Sequence, residues 1–241
     1  MIKFSQANDK LKKLYNQLWA RKWLNGRKVY SLDILAGWTC PFADKCKSKV
    51  YRTDNGLRLR DGKNCEFRCY MASIEVRTPN VYNLHRHNTE QLRGKTSREM
   101  AALIRQSMPK DAGIIRIHSS GDFFNQKYFK AWIQVAKSRP DVLFYAYTKA
   151  IAYWQNHRKD IPSNLVLTAS YGGIYDSLIE KYGFRSTKVV DKPYHARKMR
   201  LPIDQNEHIA ANPAKRNQDF ALLLHGPQPA GEKARLVAGR R

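Results

Sequence analysis

Short apolar segments alternate with longer amphipathic segments between residues 112 and 190. The apolar segments "GIIRIHSSGD", "VLFYAYTKA", "NLVLTASYGG" and "RSTKVV" are typical of strands buried on both faces. The segments between them, "NQKYFKAWIQVAKSR", "IAYWQNHRKD" and "IYDSLIEKYG", are typical of helices. Since a parallel strand pair needs a crossover helix, the pattern predicts an α/β protein with a TIM-like parallel barrel, complete or partial. In such a barrel the functional residues lie at the carboxyl ends of the strands.

The chain before this region predicts a strand and three helices. Residues 1–30 place leucine and tryptophan at spacings of three and four among basic residues, which predicts an amphipathic, basic N-terminal helix. "VYSLDILAGW" resembles a strand that leads into the first cysteine. "CYMASIEVRT" and "TSREMAALIRQSM" predict helices, the second with Thr96 or Ser97 and Glu99 in the order of a capping box.

The alternation and the change in composition at both ends predict one large domain with flanking segments. We assign residues 1–30 to the basic N-terminal segment and residues 31–191 to a barrel-like core with a metal-binding loop at 40–69. Residues 192–241 are expected to add a last strand, in "DFALLLHG", and a mobile basic tail, "GEKARLVAGRR", that packs on the core.

The charge of the chain indicates the class of its partner. The 241 residues are 42% hydrophobic, which excludes a wholly disordered protein, and they include 44 Lys and Arg against 20 Asp and Glu, a formal charge of +24. A field of that sign attracts polyanions, so we expect nucleic acid, DNA or RNA, as a partner. No run approaches the roughly 18 apolar residues of a membrane span, and the N-terminus lacks the apolar core of a signal peptide. We therefore expect a cytoplasmic protein with no membrane contact.

All cysteines of the chain lie in one polar segment, at Cys40, Cys46, Cys65 and Cys69. In a reducing cytosol, clustered cysteines are more often metal ligands than disulfides. The segment contains few apolar residues, so we expect metal–sulfur bonds to hold it in place of a local hydrophobic core.

The spacing of the cysteines favours an iron–sulfur cluster. Five, eighteen and three residues separate successive cysteines, whereas paired zinc ligands usually have two residues between them. Four thiolates are the full ligand set of a [4Fe-4S] cluster and leave no iron open, whereas radical S-adenosylmethionine enzymes use three cysteines in a triplet that this chain lacks. A zinc-stapled loop and free buried thiols are the alternatives.

The same segment is rich in basic side chains. They either form a solvated loop that offsets the charge of a thiolate-ligated cluster or bind the phosphates of a nucleic acid. The candidate nucleic-acid-binding residues are Lys45, Lys47, Lys49, Arg52, Arg58, Arg60, Lys63 and Arg68.

Polar residues follow two of the predicted strands and form a candidate strand-end pocket. His118, Ser120 and Asp122 follow "IIRI", and Lys149 follows "FYAYT". As catalytic candidates, His118 would transfer protons and Lys149 would hold an anion such as phosphate or carboxylate. The alternative is that Asp122 caps a helix and His118 is a core residue. The chain has no Gly-rich phosphate loop, no nucleophile elbow and no paired-His zinc motif.

Three motifs resemble those of an uncharacterised bacteriophage family known as gene product eighty-eight. They are "AGWTCPFADKC", "NCEFRCYMAS" and "IRIHSSGDFFNQKYFKAWIQVAKSRPDVLFYAYTK", within the span Ser31 to Gly173. The resemblance implies a phage-encoded protein of the host cytoplasm with a barrel-like α/β fold related in architecture to radical S-adenosylmethionine proteins. It also implies that the cysteines bind iron and sulfur, and it supplies no established reaction.

The residues and the resemblance together support three hypotheses. The first is a phage [4Fe-4S] protein with a TIM-barrel-like fold, a structural or redox-responsive cluster and a basic surface that binds nucleic acid. The second is a radical S-adenosylmethionine-like enzyme or a reductase that uses the strand-end pocket. The third is a zinc-stapled nucleic-acid-binding protein.

Overall fold

The computed structural model describes residues 1–228, which fold into strands, helices and short 3₁₀ turns. The strands are β1 (Ser5–Gln6), β2 (Lys28–Leu32), β3 (Ser48–Thr53), β4 (Gly56–Asp61), β5 (Ala112–Ile117), β6 (Leu143–Thr148), β7 (Leu165–Ser170), β8 (Ser186–Val190) and β9 (Phe220–Leu223). The helices are α1 (Asp9–Lys12), α2 (Leu18–Leu24), α3 (Tyr70–Arg77), α4 (Pro79–Leu92), α5 (Ser97–Ser107), α6 (Gln126–Ser138), α7 (Ile151–Asn156), α8 (Ser177–Tyr182), α9 (Pro193–Lys198) and α10 (His208–Ala211). No helix among these residues is long and apolar enough to cross a membrane.

A seven-stranded sheet forms the centre of the molecule, in the order β1-β2-β5-β6-β7-β8-β9. β1 is antiparallel to β2, and every other neighbouring pair is parallel. The predicted parallel α/β sheet and its alternating helices are therefore confirmed. Over residues 1–228 the sheet has two edges, β1 and β9, so the prediction of a complete barrel is not met; a TIM barrel closes with eight parallel strands, and here six are parallel.

Both faces of the sheet are covered, which explains the nearly continuous apolar runs of its strands. Ile115 and Ile117 of β5 pack in one core with residues of α5 and α6. Ile114 points to the other face and packs in a second core with residues of α1, α2 and α10. Successive side chains of β5 therefore point alternately into two hydrophobic cores, rather than into one core and into solvent.

The N-terminal thirty residues do not form the single helix that their spacing predicts. The backbone of Gln17 is extended, so the helical residues divide into α1, a 3₁₀ turn (Lys13–Asn16) and α2. Leu11 and Leu14 are buried, but Leu18 is 68% exposed. Pairing of β1 with β2 fixes the start of the chain, and apolar spacing does not reveal such a contact.

The segment between β4 and β5 contains one helix more than predicted. α3 and α5 are confirmed, and Thr96 and Glu99 form the capping box. The sequence did not predict α4, because its buried face includes the polar residues His85, Asn88 and Thr89 and therefore lacks a clear apolar pattern. β9 confirms the last strand, whereas the predicted tail "GEKARLVAGRR" lies outside the described residues.

A separate antiparallel hairpin, formed by β3 and β4, occupies the eighteen-residue stretch between Cys46 and Cys65. On its inner face Val50, Leu57 and Leu59 join a small hydrophobic cluster that includes residues of α3. The expectation that metal bonds replace a local core is therefore wrong, because alternate residues of two short strands supply one.

Candidate metal centre

Four local structures position the cysteines. Cys40 follows β2 by a short loop, Cys46 precedes the hairpin, Cys65 follows it, and Cys69 lies at the amino end of α3. Cys65 is buried, the other three are half-buried, and none forms a disulfide. The hairpin thus begins and ends beside a cysteine, and the loop and the helix bring the other two to the same side of the sheet.

Gly37 allows the loop before Cys40 to pass against the hairpin. Its φ is +68°, and a Cβ atom built there would lie 2.1 Å from the carbonyl oxygen of Ser48. A residue with a side chain would be strained and would also displace the first residue of β3. The glycine therefore fixes how closely the Cys40 loop approaches the hairpin.

Three of the thiols, those of Cys40, Cys46 and Cys69, lie close together. Burial raises the pKa of Cys40 well above its ordinary value, and Asp122, Cys69 and Cys46 raise it further. Burial and the neighbouring Cys46 raise the pKa of Cys69 to about 12. Without a metal, Cys40 and Cys69 are therefore neutral thiols at neutral pH, and a bound cation would favour the thiolates that ligate metals.

Cys65 is joined to Cys69 through a buried serine. The Cys65 thiol donates to the carbonyl oxygen of Phe67 at 3.1 Å and lies 3.9 Å from Ser48 Oγ. Ser48 Oγ in turn accepts from the backbone N–H of Cys69 at 3.2 Å. Among residues 1–228, no three His, Cys, Asp or Glu side chains stand in a ready site for a single metal ion. Four cysteines in one loop system are a donor set used both by [4Fe-4S] clusters and by structural zinc sites.

A cavity of about 170 Å³ is lined by two of the cysteines and by residues at the carboxyl ends of the parallel strands. The cysteines are Cys46 and Cys69, and the strand-end residues include Lys149 and Ser170, at the ends of β6 and β7. Lys149 Nζ donates to Ser170 Oγ at 2.7 Å and to the carbonyl oxygens of Ser170 and Tyr171 at 3.1 and 2.8 Å. Among residues 1–228, the hydrogen bonds of this buried ammonium group are to neutral acceptors, and its charge favours an anionic group in the cavity.

The carboxylate of Asp122 holds the ends of two strands together. Its Oδ1 accepts from Thr148 Oγ1 at 2.6 Å and from the N–H of Phe123 at 2.7 Å, and its Oδ2 accepts from the N–H of Lys149 at 2.8 Å. Burial raises the pKa of Asp122 in spite of these bonds. The structure thus gives Asp122 a cross-linking position beside Cys40.

His118 lies in the core beneath α6 rather than at the cavity. It is 3% exposed, with Nε2 3.0 Å from the hydroxyl of Tyr128 and the ring against Phe123. Burial, with the nearby charge of Arg116, lowers the pKa of His118 to about 3, so the imidazole is neutral at neutral pH. Its φ of +69° is unusual for a residue with a side chain.

Glu75 is a candidate site residue that sequence reasoning missed. It is fully buried on α3, and its Oε1 accepts from Ser120 Oγ at 2.9 Å and from the N–H of Ala36 at 3.0 Å and lies 2.7 Å from His85 Nδ1. Its charge contributes to the raised pKa of Cys69. The signal in the sequence was a single acidic residue within the otherwise uncharged run "CYMASIEV".

The hairpin brings three of the eight candidate phosphate-binding residues together. Lys49, Arg58 and Arg60 lie on its outer face, opposite the face that packs on the core. Arg52 lies on the inner side, where its guanidinium donates to Asn83 at 2.7 Å. Lys63 is exposed just beyond β4.

The other three basic residues lie near the base of the hairpin. Lys45 pairs with Glu66 at 2.7 Å, and Arg68 pairs with Asp61. The backbone carbonyl oxygen of Lys47 accepts a hydrogen bond from the N–H of Gly62. Two of these charges therefore already have acidic partners, and the eight residues do not form one patch.

The fold and the site define a mostly parallel α/β protein with a cysteine-bearing hairpin loop at the carboxyl edge of its sheet. The chain belongs to the bacteriophage family "Gene product 88", whose model matches residues 2–240. It is 32% identical over 179 residues to the "Gene 88 protein" of Mycobacterium phage L5, covering 66% of this chain and 65% of that protein.

A second relative comes from Mycobacterium phage D29. Its "Gene 88 protein" is 32% identical over 94 residues, covering 35% of this chain and 39% of the relative. The alignments thus span less than two thirds of each relative's length. No solved structure matches the chain.

Proposed function

We propose that this phage protein binds a [4Fe-4S] cluster through Cys40, Cys46, Cys65 and Cys69 and binds nucleic acid through a basic surface. The observation that supports the cluster most directly is the proximity of three thiols: Cys69 and Cys46 raise the pKa of Cys40, and Cys46 raises the pKa of Cys69. Buried, adjacent thiols of this kind become thiolates when a metal binds. The cluster supplies a rigid link between the hairpin and the sheet, and redox chemistry if it is reducible.

One further observation favours iron and sulfur over zinc, and a second favours an anionic metal site of either kind. Gaps of five and three residues within the outer cysteine pairs differ from the two-residue gap of most zinc knuckles. Lys149 lines the same cavity as Cys46 and Cys69, and among residues 1–228 no carboxylate accepts a hydrogen bond from its ammonium group. A four-thiolate site is anionic with either metal, so this charge would compensate a cluster or a zinc ion alike.

We propose that the sheet is a partial barrel. Its six parallel strands follow one another in chain order, so each crossover adds a strand on the same side. Right-handed crossovers then place their helices on one face, and α5, α6, α7 and α8 pack against one another in sequence. The other face is filled by α1, α2 and α10, in the position of a barrel interior.

The cluster is tested by purifying the full chain without oxygen and measuring its metal content and visible absorption. We expect about four iron atoms per chain and broad sulfur-to-iron charge-transfer absorption. Cys46→Ser and Cys69→Ser should each lower the iron content and the absorption several-fold, because each removes a ligand.

Thr53→Ala, at the exposed tip of the same hairpin, is the matched control and should keep the full iron content. A colourless protein with about one zinc per chain would contradict the cluster and support the zinc-stapled alternative. A protein with neither metal, whose cysteine variants behave like Thr53→Ala, would contradict any metal centre.

A second candidate function, an enzyme that uses the cluster on a bound ligand, is supported by the cavity beside Cys46 and Cys69. A pocket at the carboxyl ends of parallel strands is the usual active-site position in barrel-like folds. A radical S-adenosylmethionine-like activity requires that the reduced cluster change its electron paramagnetic resonance spectrum when S-adenosylmethionine is added. An unchanged spectrum would remove that reaction and leave the binding function.

A further inference from the structure

The outer face of the hairpin combines three basic residues with aromatic rings. In the β3–β4 register Lys49 is opposite Arg60, and Tyr51 is opposite Arg58. The ring of Trp38, from the loop before Cys40, lies against this face, with its centroid 4.9 Å from that of Tyr51. We call Trp38, Lys49, Tyr51, Arg58 and Arg60 the outer hairpin face.

The rings of this face are held in place by the protein. Trp38 Nε1 donates to the carbonyl oxygen of Val50 at 2.8 Å, which fixes the indole against β3 while leaving the residue 38% exposed. Lys49 Nζ lies 4.4 Å from the centroid of the Trp38 ring, and the Arg60 guanidinium lies 5.6 Å from that of Tyr51. The cations and rings therefore alternate across one ordered surface, at distances typical of cation–π contacts.

The charge of this face is of one sign. No Asp or Glu of β3 or β4 shares it, because Asp61 lies on the inner side and pairs with Arg68. Arg58 and Arg60 are two residues apart on one strand, so their side chains emerge about 7 Å from each other. This spacing is comparable to the step between phosphates along an extended sugar–phosphate chain. The face therefore complements a flexible polyanion.

We infer that the outer hairpin face binds single-stranded nucleic acid, with bases stacked on Trp38 and Tyr51 and phosphates paired with Lys49, Arg58 and Arg60. The inference rests on the proposed nucleic-acid-binding function and names its site and the class of its ligand. Aromatic side chains stack on the exposed bases of single strands, whereas duplex bases are stacked on one another. Because the inner face of the hairpin packs on the core, the two strands do not enter a major groove as a free ribbon would.

The test is fluorescence anisotropy of the full-length protein with labelled oligonucleotides of about 20 nucleotides: single-stranded DNA, single-stranded RNA and a DNA duplex. The charge variant is Arg58→Ala with Arg60→Ala. It should lower single-strand affinity about tenfold or more and reduce the dependence of log K on log salt by about 1.4, since each lost phosphate contact contributes about 0.7 for single strands. The control is Arg98→Ala with Arg105→Ala, which removes equal charge from the exposed side of α5 and should change affinity less than threefold.

The stacking variant is Trp38→Leu with Tyr51→Leu, which keeps every charge and an apolar side chain at each position. It should lower single-strand affinity about tenfold or more and leave the salt dependence unchanged. The iron content and thermal unfolding of each variant, compared with the unsubstituted protein, distinguish lost binding from lost folding. The DNA and RNA arms identify which sugar the natural ligand has, because stacking and phosphate pairing serve both.

The outcomes separate this inference from the proposed function. Equal or tighter binding of the duplex, or hairpin variants that match the α5 control, would overturn the inference while leaving nucleic-acid binding in place. If the unsubstituted protein binds no nucleic acid even at low salt, the proposed binding function fails and the inference fails with it. Iron content is scored independently, so loss of the cluster hypothesis does not alter either result.

Discussion

Glu207 shows how one buried charge joins distant parts of the chain. It is fully buried, pairs with Lys10 at 2.7 Å and with Arg116 at 3.1 Å, and accepts from the Tyr147 hydroxyl at 3.0 Å. Burial alone would raise its pKa, but the two cations outweigh burial and lower the pKa to about 2. The carboxylate therefore stabilises the folded state at neutral pH and connects the segment before α10 to β5 and α1.

Glu207→Gln should lower the free energy of unfolding at pH 7 by about 3 kcal/mol. The fall in pKa from 4.5 to about 2 corresponds to that amount, and the variant also leaves Arg116 buried without its carboxylate. Because the folded pKa is depressed, the contribution is complete above pH 4.5 and is lost as the pH falls through about 2. Urea unfolding at pH 7 and near pH 2 should therefore show the difference between wild type and variant shrinking in acid.

Glu90→Gln is the matched control for this prediction. Glu90 forms an exposed pair with Arg86 at 2.7 Å, and exposed pairs contribute at most about 1 kcal/mol. If Glu207→Gln costs no more than this control, or if its cost at pH 7 persists unchanged in acid, the buried ion pair does not stabilise the fold as described.

The partners and burial of individual side chains were harder to predict from the sequence than the helices, the strands or the sheet. Glu75 and Glu207 stand in segments that read as a helix and a polar loop, and their partners lie far away along the chain. The four cysteines were found because clustering is visible in the sequence, and whether they hold a metal stays a prediction. His118 was chosen because histidine at a strand end is often functional, and the sequence does not show the burial that makes it neutral.

The hairpin is the element that connects the cysteines to the outer hairpin face. The sequence predicted a basic excursion between Cys46 and Cys65 but not its two strands. Val50, Leu57 and Leu59 are too few to read as a core, and they become one only because α3 and the loop after β2 pack against them. Helices with clear apolar spacing, such as α6, were predicted with boundaries within about a residue of those observed.

Gly37→Ala tests the contact between the Cys40 loop and the hairpin. The substitution places a Cβ atom 2.1 Å from the Ser48 carbonyl oxygen at a φ of +68°, so the hairpin and Cys46 must move. Gly26→Ala is the control, because Gly26 also has a positive φ, +82°, but no atom within 4 Å of the added Cβ. We expect Gly37→Ala to lower the free energy of unfolding by about 1–3 kcal/mol more than Gly26→Ala, and to lower iron content as well.

Thermal or urea unfolding and metal analysis of the two alanine variants make this comparison. Equal stability and equal iron content would show that the loop tolerates displacement and that the close approach at Gly37 does not position the cysteines.

At the scale of the whole molecule, the sequence predicted the parallel sheet but not whether that sheet closes into a barrel. Alternating strands and helices specify a parallel sheet, and the strand order follows the chain. Whether such a sheet closes depends on strand number and tilt, which periodicity does not encode. The flanking segments are the other unforeseen feature, since β1 extends the sheet at one edge and α1, α2 and α10 fill one of its faces.

Native mass spectrometry of the full chain purified without oxygen tests the proposed iron–sulfur centre most directly. The main species should exceed the mass of the bare chain by one [4Fe-4S] unit, and Cys69→Ser should shift the population to the bare chain. A main species that carries a single zinc ion, or one that is bare in both proteins, would contradict an iron–sulfur centre at these cysteines.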